Sequence, residues 1–467
     1  MTTTVATTAG RVAGTEERGL RVWRGIPFAT PRRWRAPGPV ARWRGVRDAT
    51  RFGPAAPQMP GFPTALPDEA LVAGPWDEAG CLTLNVWAPA GAHGRPVLVW
   101  FHGGAFMNGS SAMPSYDGAT LAAEGDCVVV SANYRLGALG YLPVAGQANV
   151  GVLDQIAALS WIRDSIDGFG GAPDQVTIFG ESAGAGSVLH ILASPQAHGL
   201  VRRAIAQSGA TNLTPTLETM VELADRLRGR VDVDGPVELI LEAQQGLLIE
   251  SLATTPMPFH PALDNDVLPA LPSAGLPGEV DLVIGTTADE LALYADESVA
   301  SMSEERWLRL ASALVAKLAL SRPALVLDAY GDLPNPGARW NAVQTDAAMW
   351  IPCLDVAEHH PGRTFVYRFD WPAAPPNERL GACHAIDIPF TFGTFDRCGW
   401  GPFVGADNPG APRLGRTLRD AWRTFATGGD PWPAFEPDRR ATMIFDRACR
   451  VEDDPRGKVR QAWRDAR

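Results

Sequence analysis

Long apolar runs are missing from this sequence. No stretch approaches the roughly 18 consecutive apolar residues that a membrane-spanning helix needs. The opening residues, MTTTVATTAGRVAGTEERG, also lack the basic and apolar segments of a secretory signal. We therefore predict a cytoplasmic protein with no membrane partner.

Cysteine is scarce as well, with six residues scattered over a chain of 467. No two of them form a CxxC pair, so neither a zinc site nor a redox motif is predicted. Single, scattered cysteines are typical of buried thiols in a reducing compartment, which agrees with a cytoplasmic location.

Positive charge is in short supply: 41 basic residues stand against 52 acidic ones, and the formal net charge is −11. This balance argues against nucleic acid as a partner. The local basic run PRRWR (31–35) is interpreted as solvated surface. The composition is otherwise that of an ordinary globular protein. We predict a single domain over residues 1–467, because large α/β proteins often form one unit.

Short apolar runs without alternation predict the core of a sheet. Such runs fit strands that are covered on both faces, as in a mostly parallel sheet. The four clearest are VLVWF (97–101), CVVV (127–130), VTIF (176–179) and LVI (282–284). In two other segments apolar residues alternate with their neighbours, which predicts edge or antiparallel strands: Leu82, Leu84 and Val86 in 82–86, and Phe365, Tyr367 and Phe369 in 365–369.

Helical periodicity separates these runs. Apolar residues over 153–167 recur at a period near 3.6 residues, and Gly168 follows as a predicted stop. Further helices are predicted near 217–229, 304–318 and 413–426. The alternation of strand and helix predicts an α/β fold with a central, mostly parallel sheet flanked by helices. Ligands of such sheets bind at the carboxyl ends of the strands.

The stretch FGESAGAGSV (179–188) places Ser182 between two glycines, after the run VTIF and before small helix-forming residues. A strand, a tight turn and a helix are what a nucleophilic serine needs to project its hydroxyl from the sheet edge. The amide of Ala183 and the amino end of the helix then face the same point, where an oxyanion is stabilised. The alternative is a structural serine in a glycine-rich turn.

A second glycine pair follows the run VLVWF, in the sequence HGGAF (102–106). Backbone amides of Gly103 and Gly104 can point at a substrate oxygen, as in the glycine loops of esterases. His102 is interpreted as a structural residue of this loop. The alternative is a flexible turn after a strand.

A serine hydroxyl needs a base to remove its proton, and the base needs an acid to orient it. The segment GACHAIDIPFTFG (381–393) supplies His384 as the predicted base. The segment VIGTTADELALY (283–294) supplies Asp289 and Glu290 beyond a short strand, and spacing alone does not choose between these two acids.

Longer motifs carry a family resemblance. Beyond the segments quoted above, they are VWRGIPFA (22–29), CLTLNVWAP (81–89), VVVSANYRLGALGYL (128–142), RRAIAQSGA (202–210) and FATGGDPWPAF (425–435). Together these motifs resemble the type-B carboxylesterase family, the carboxylesterase and cholinesterase branch of the α/β-hydrolase fold. The resemblance covers most of the chain. It thins over 211–345, a variable helical region that we expect to shape the pocket around an active-site gorge.

The resemblance implies a Ser-His-Glu triad: Ser182 of GESAG as nucleophile, His384 as base and Glu290 as acid. The oxyanion donors that it implies are the amides of Gly103, Gly104 and Ala183. It implies neither a metal ion nor a cofactor.

The family pattern also suggests supporting residues. Arg135 and Asp154 resemble the structural ion pair of the family. Asp387 stands where the family has a glutamate after the histidine, as a candidate support for the triad. Ser208 of QSG is either a supporting hydroxyl near the triad or a plain buried serine.

One departure from the family concerns a disulfide. Secreted members place a cysteine at the position of Ala56, where it bridges to the equivalent of Cys81. That loop disulfide is absent here, in keeping with a cytoplasmic protein.

The function predicted from these features is that of a serine esterase, which hydrolyses small-molecule carboxylic esters through an acyl-enzyme. One alternative is an interfacial lipase, which needs an apolar lid. Another is a non-catalytic binding protein on the same fold, which is expected to have lost a triad residue. The sequence leaves the natural ester open, and it leaves the choice between monomer and homodimer open.

Overall fold

A computed structural model describes residues 2–61, 64–209, 214–251 and 257–467. The described strands are β1 (Thr2–Ala6), β2 (Arg11–Glu17), β3 (Leu20–Pro27), β4 (Thr30–Arg32), β5 (Arg35–Gly38), β6 (Val46–Asp48), β7 (Thr83–Pro89), β8 (Arg95–Phe101), β9 (Val128–Ala132), β10 (Gly171–Glu181), β11 (Arg203–Gln207), β12 (Asp281–Thr287), β13 (Thr364–Phe369), β14 (Ala441–Phe445) and β15 (Arg450–Asp453).

The described α-helices are α1 (Ala119–Gly125), α2 (Gly137–Tyr141), α3 (Val150–Ser165), α4 (Ala183–Ala193), α5 (Leu217–Arg228), α6 (Val237–Ser251), α7 (Pro272–Gly275), α8 (Glu304–Lys317), α9 (Pro323–Asp328), α10 (Pro336–Thr345), α11 (Ile351–His359), α12 (Ile388–Phe392), α13 (Trp400–Val404), α14 (Gly410–Ala426) and α15 (Gly457–Ala466). A π-helical turn, Asp346–Trp350, joins α10 to α11. A short 3₁₀ helix, Glu290–Tyr294, follows β12. The structure describes no helix that is long and apolar enough to cross a membrane.

One large mixed sheet organises the molecule. Over the described residues its strand order is β1-β2-β3-β7-β9-β8-β10-β11-β12-β13-β14-β15, and β6 pairs with β2. From β9 to β14 in this order each strand is parallel to the next, whereas the pairings outside this stretch of the order are antiparallel. This architecture confirms the mostly parallel sheet flanked by helices.

The unalternated apolar runs form the middle of the sheet because both faces are buried. Along β8, Val97 and Val99 belong to the core on one face, while Leu98 and Trp100 belong to the core on the other. Helices α3 and α4 pack on the first face, and α1 and α14 pack on the second. A strand covered on both sides therefore needs apolar residues at successive positions.

The alternating segment 365–369 does not behave as predicted. It forms β13, which lies inside the sheet and runs parallel to both β12 and β14. Its second face is covered as well, because Val366 is buried and Arg368 forms an ion pair with Asp370 at 2.6 Å. The alternation misled because Val366 is itself apolar and fully buried, so the segment has no polar face. The other alternating segment, 82–86, falls in β7, which is antiparallel to β3 and β9 as predicted.

The helix predictions near 217–229, 304–318 and 413–426 are confirmed by α5, α8 and α14. The predicted stop at Gly168 is wrong by a short distance. Helix α3 ends at Ser165, a 3₁₀ turn continues to Phe169, and Gly170 with φ of 95° ends the segment. A glycine in the left-handed region provides the actual stop.

Candidate active site

Ser182 lies at the sharp turn between β10 and α4. Its backbone adopts φ of 57° and ψ of −124°, a strained conformation for a residue with a side chain. The turn closes tightly against the neighbouring strand: a Cβ on Gly184 would lie 2.0 Å from the carbonyl oxygen of Phe101. The small residues of GESAG are therefore required for this turn, which projects the serine beyond the sheet edge.

The loop after β8 passes beside this turn. A Cβ on Gly103 would lie 3.2 Å from Ser182 Cβ, so the loop backbone and the serine are in close proximity. Gly104 has φ of 112°, and a Cβ there would lie 2.0 Å from Asn108 O. The backbone amides of Gly103, Gly104 and Ala183 donate no hydrogen bond to any described residue. Three amide donors in the segments around Ser182 thus have no described acceptor.

The predicted nucleophile, base and acid lie in one hydrogen-bonded row. His384 Nε2 is 2.8 Å from Ser182 Oγ, and His384 Nδ1 is 2.5 Å from Glu290 Oε2. The three residues follow the carboxyl ends of β10, β13 and β12, which are parallel strands. Of the two acids that spacing left open, Glu290 faces the histidine.

Asp289 has a different contact. Its Oδ2 accepts a hydrogen bond from the amide of Ala382 at 3.0 Å, and its own amide donates to Ala382 O at 2.9 Å. These bonds join the acid turn to the loop that carries His384. Glu290 itself is held through Oε1, which accepts from the amide of Thr287 at 2.8 Å.

Glu181 is a site residue that the sequence reasoning missed. Its Oε1 lies 3.2 Å from His384 Nε2, the nitrogen that faces Ser182. Burial raises the pKa of Glu181 to about 8. Burial lowers the pKa of His384, but the charges of Glu181 and Glu290 outweigh it and raise that pKa to about 9. The sequence did contain one indication of a role for Glu181, because this residue directly precedes the nucleophile in GES.

Asp387 and Ser208, the two candidate supporting residues of the triad, have different surroundings. Asp387 Oδ2 accepts a hydrogen bond from Gln207 Nε2 at 2.8 Å, and burial raises the pKa of Asp387 to about 6. Ser208 follows β11 and is fully buried, and its Oγ makes no hydrogen bond with a described residue. Asp387 is thus linked to the nucleophile only through Gln207, whose carbonyl oxygen accepts from the amide of Ser182 at 2.9 Å, and no described hydrogen bond links Ser208 to the triad.

Two further predicted structural features are present. Arg135 and Asp154 form a buried, two-pronged ion pair with both contacts at 2.7 Å. His102 is buried, its ring stacks on Tyr134 with centroids 4.5 Å apart, and burial lowers its pKa to about 4. A neutral, stacked imidazole fits the structural role predicted for His102.

Fold and site geometry together define an α/β-hydrolase: a mostly parallel sheet presents a serine elbow, a histidine and an acid at its carboxyl edge. The sequence model of the carboxylesterase family matches residues 1–443. The chain belongs to the carboxylesterase family and is a carboxylic-ester hydrolase.

Individual relatives agree with this assignment. The para-nitrobenzyl esterase of Bacillus subtilis is 36% identical over 98% of this chain and 97% of its own length. The phenmedipham hydrolase of Pseudarthrobacter oxydans is 36% identical over 94% of both chains. A thermophilic para-nitrobenzyl esterase structure superposes with a TM-score of 0.86 at 35% identity, covering 98% of this chain and 99% of its own.

Proposed function

We propose that Ser182, His384 and Glu290 hydrolyse carboxylic esters through a covalent acyl-enzyme. The observation that carries this proposal is the row from Ser182 Oγ through His384 to Glu290, with contacts of 2.8 and 2.5 Å. His384 takes the serine proton while Oγ attacks the ester carbonyl carbon. Glu290 accepts a hydrogen bond from Nδ1, which leaves Nε2 free to act as the base.

Attack converts the carbonyl oxygen into an oxyanion. The amides of Gly103, Gly104 and Ala183 are proposed to stabilise it, since Gly103 and Ala183 flank Ser182 and none of the three has a described acceptor. The tetrahedral intermediate collapses when His384 returns the proton to the leaving alcohol. Water then attacks the acyl-enzyme with His384 again as base, which releases the acid and restores Ser182.

Replacement of the nucleophile tests this proposal. We expect Ser182→Ala to lower kcat for p-nitrophenyl acetate by on the order of 10⁴ or more. Ser160→Ala is a matched control, because Ser160 Oγ bonds only its own helix, at 3.0 Å to Ile156 O. Thermal unfolding is measured for both variants. Near-full activity in a folded Ser182→Ala protein would refute the assignment.

The acyl-enzyme is the second measurable consequence. Intact-mass analysis after a short reaction with an organophosphate, whose phosphoryl group is transferred to the nucleophile in place of an acyl group as the leaving group departs, should show one adduct on the wild type and none on Ser182→Ala. An adduct that persists in the variant would place the nucleophile elsewhere.

The range of substrates is proposed from the relatives, which include esterases of small esters by name. We propose small neutral esters as the substrates. We also propose that the chain forms a single catalytic domain, in which the variable region of about 211–345 shapes the pocket. Residues 211–213 and 252–256 of that region lie outside the described residues. A panel of p-nitrophenyl and benzyl esters of increasing acyl length measures the acyl pocket, since kcat/KM falls where the chain no longer fits. An aryl carbamate belongs in the panel because one relative is a phenmedipham hydrolase. Activation by emulsified triglyceride would favour the lipase alternative.

We also propose that the protein works in the cytoplasm. The support is chemical: its six cysteines are free thiols, and Cys81 is buried and unpaired in the same core as Ala56.

A further inference from the structure

The acid turn is held from outside the triad by a threonine. Thr345 Oγ1 accepts a hydrogen bond from the amide of Leu291 at 3.2 Å. Leu291 directly follows Glu290, so this contact fixes the backbone on the far side of the acid. Thr345 is the last residue of α10 and is buried.

The residue after Thr345 is a fully buried carboxylate. Asp346 Oδ1 accepts from Arg456 Nη1 at 2.7 Å, and its Oδ2 accepts from the hydroxyl of Tyr330 at 2.7 Å. The indole of Trp463 donates to the same Tyr330 oxygen at 2.7 Å. A charge without contact to water requires such partners, and each bond made to a charged group is stronger than a neutral one.

Asp346 also begins the π-helical turn that joins α10 to α11. Such turns are rare inside helices and occur frequently at functional sites. The side chains of adjacent residues in a helix point about 100° apart. Thr345 therefore contacts the acid turn, while Asp346 contacts a different group of residues, Arg456 and Tyr330. Any rotation of this turn moves both side chains together.

We propose that Thr345 is a positioning residue for Glu290, and that the bonds of Asp346 to Arg456 and Tyr330 fix the turn that carries Thr345. This inference rests on the proposed role of Glu290 as the triad acid. Arg456 and Trp463 lie beyond residue 443, where the match to the family's sequence model ends. Residues outside that match thus help to orient the catalytic acid.

The physical effect concerns the histidine. When the backbone of Leu291 is held, Glu290 Oε2 stays 2.5 Å from His384 Nδ1 and keeps the ring in one orientation. When the backbone of Leu291 is no longer held, the carboxylate of Glu290 moves away from the ring of His384. The transition state, in which His384 is positively charged, then loses more stabilisation than the bound substrate does, so kcat falls and KM stays.

Thr345→Val tests the contact directly, because valine keeps the shape and removes the oxygen. We expect kcat to fall roughly 3- to 10-fold, as for loss of one hydrogen bond, with KM within about twofold. Thr345→Ser restores the oxygen and should restore kcat. The rising limb of the pH profile should move to lower pH in Thr345→Val, because a more distant carboxylate raises the pKa of His384 less.

A matched control and a second background separate positioning from packing. Thr442→Val also removes a buried hydroxyl, which bonds Arg440 O at 3.0 Å on β14, and should leave kcat unchanged. In a Glu290→Gln background, Thr345→Val should have no further effect on kcat. An equal loss in both backgrounds would overturn the inference. Full activity of Glu290→Gln by itself would instead refute the proposed triad.

The remote half of the network is tested with two variants that leave the ion pair of Asp346 in place. Tyr330→Phe keeps the ring and removes the hydroxyl, whereas Trp463→Phe removes the indole N–H donor together with part of the buried ring. Each variant should lower kcat, as Thr345→Val does. Combined with Thr345→Val in a double variant, each should cause little further loss of kcat. Additive losses, or none, would show that the network does not act through Thr345. If Thr345→Val fails to fold, the same two variants are measured in the Glu290→Gln background, where each should have no further effect on kcat and an undiminished loss would overturn the inference.

Discussion

The carboxyl group of Glu181 faces the same imidazole nitrogen as the nucleophile does, at 3.2 Å from His384 Nε2. Both groups are buried, and the pKa values of Glu181 and His384 are raised to about 8 and about 9. They therefore titrate in overlapping ranges of pH and influence each other. One acidic residue next to the serine thus affects the pH at which the base becomes neutral.

The pH profile of acylation follows from this contact. Only neutral His384 accepts the serine proton, so kcat/KM should rise with pH, with a midpoint above the ordinary histidine value of 6.5. Glu181→Gln removes a negative charge that favours the protonated ring, so its rising limb should lie at lower pH than that of the wild type. Stopped-flow acylation with a p-nitrophenyl ester measures both profiles. An unshifted limb in Glu181→Gln would show that Glu181 carries no charge in this range.

At the scale of elements, the loop after β8 depends on one glycine more than on its neighbours. Gly104→Ala adds a Cβ that would lie 2.0 Å from Asn108 O, at φ of 112°. We expect the oxyanion amides to move and kcat to fall about 10²- to 10³-fold. Gly91→Ala is the control, because Gly91 also has positive φ, of 77°, but a Cβ there meets nothing within 4 Å. Its esterase activity should remain, and equal losses in the two variants would contradict this account.

The sequence predicted the elements around the site well where the pattern was local. The runs of β8 and β10, the elbow and the glycine loop are each encoded by consecutive residues. The interior position of β13 was missed because its partners in the sheet, β12 and β14, come from distant parts of the sequence. The choice between Asp289 and Glu290, and the contact of Thr345 with Leu291, depend on distant segments meeting in space.

At the scale of the whole molecule, the ion pair of Arg135 and Asp154 links the segment after β9 to helix α3. We expect Asp154→Ala to lower the free energy of unfolding by about 3–5 kcal/mol, because it leaves a buried guanidinium unpaired. Asp164→Ala breaks an exposed pair with Arg163 and should cost less than about 1 kcal/mol. Urea denaturation compares the two. A loss for Asp154→Ala no larger than for Asp164→Ala would argue against a structural role of the buried pair.

The row of Ser182, His384 and Glu290 also has a meaning for how the chain folds. Its two contacts span 202 and 94 residues of sequence. Loop-closure entropy opposes such distant pairings until strands between them have joined. Covalent labelling of Ser182 by a fast acylating probe should therefore appear late during refolding, after most secondary structure has formed. The time course of labelling then reports when the fold is complete.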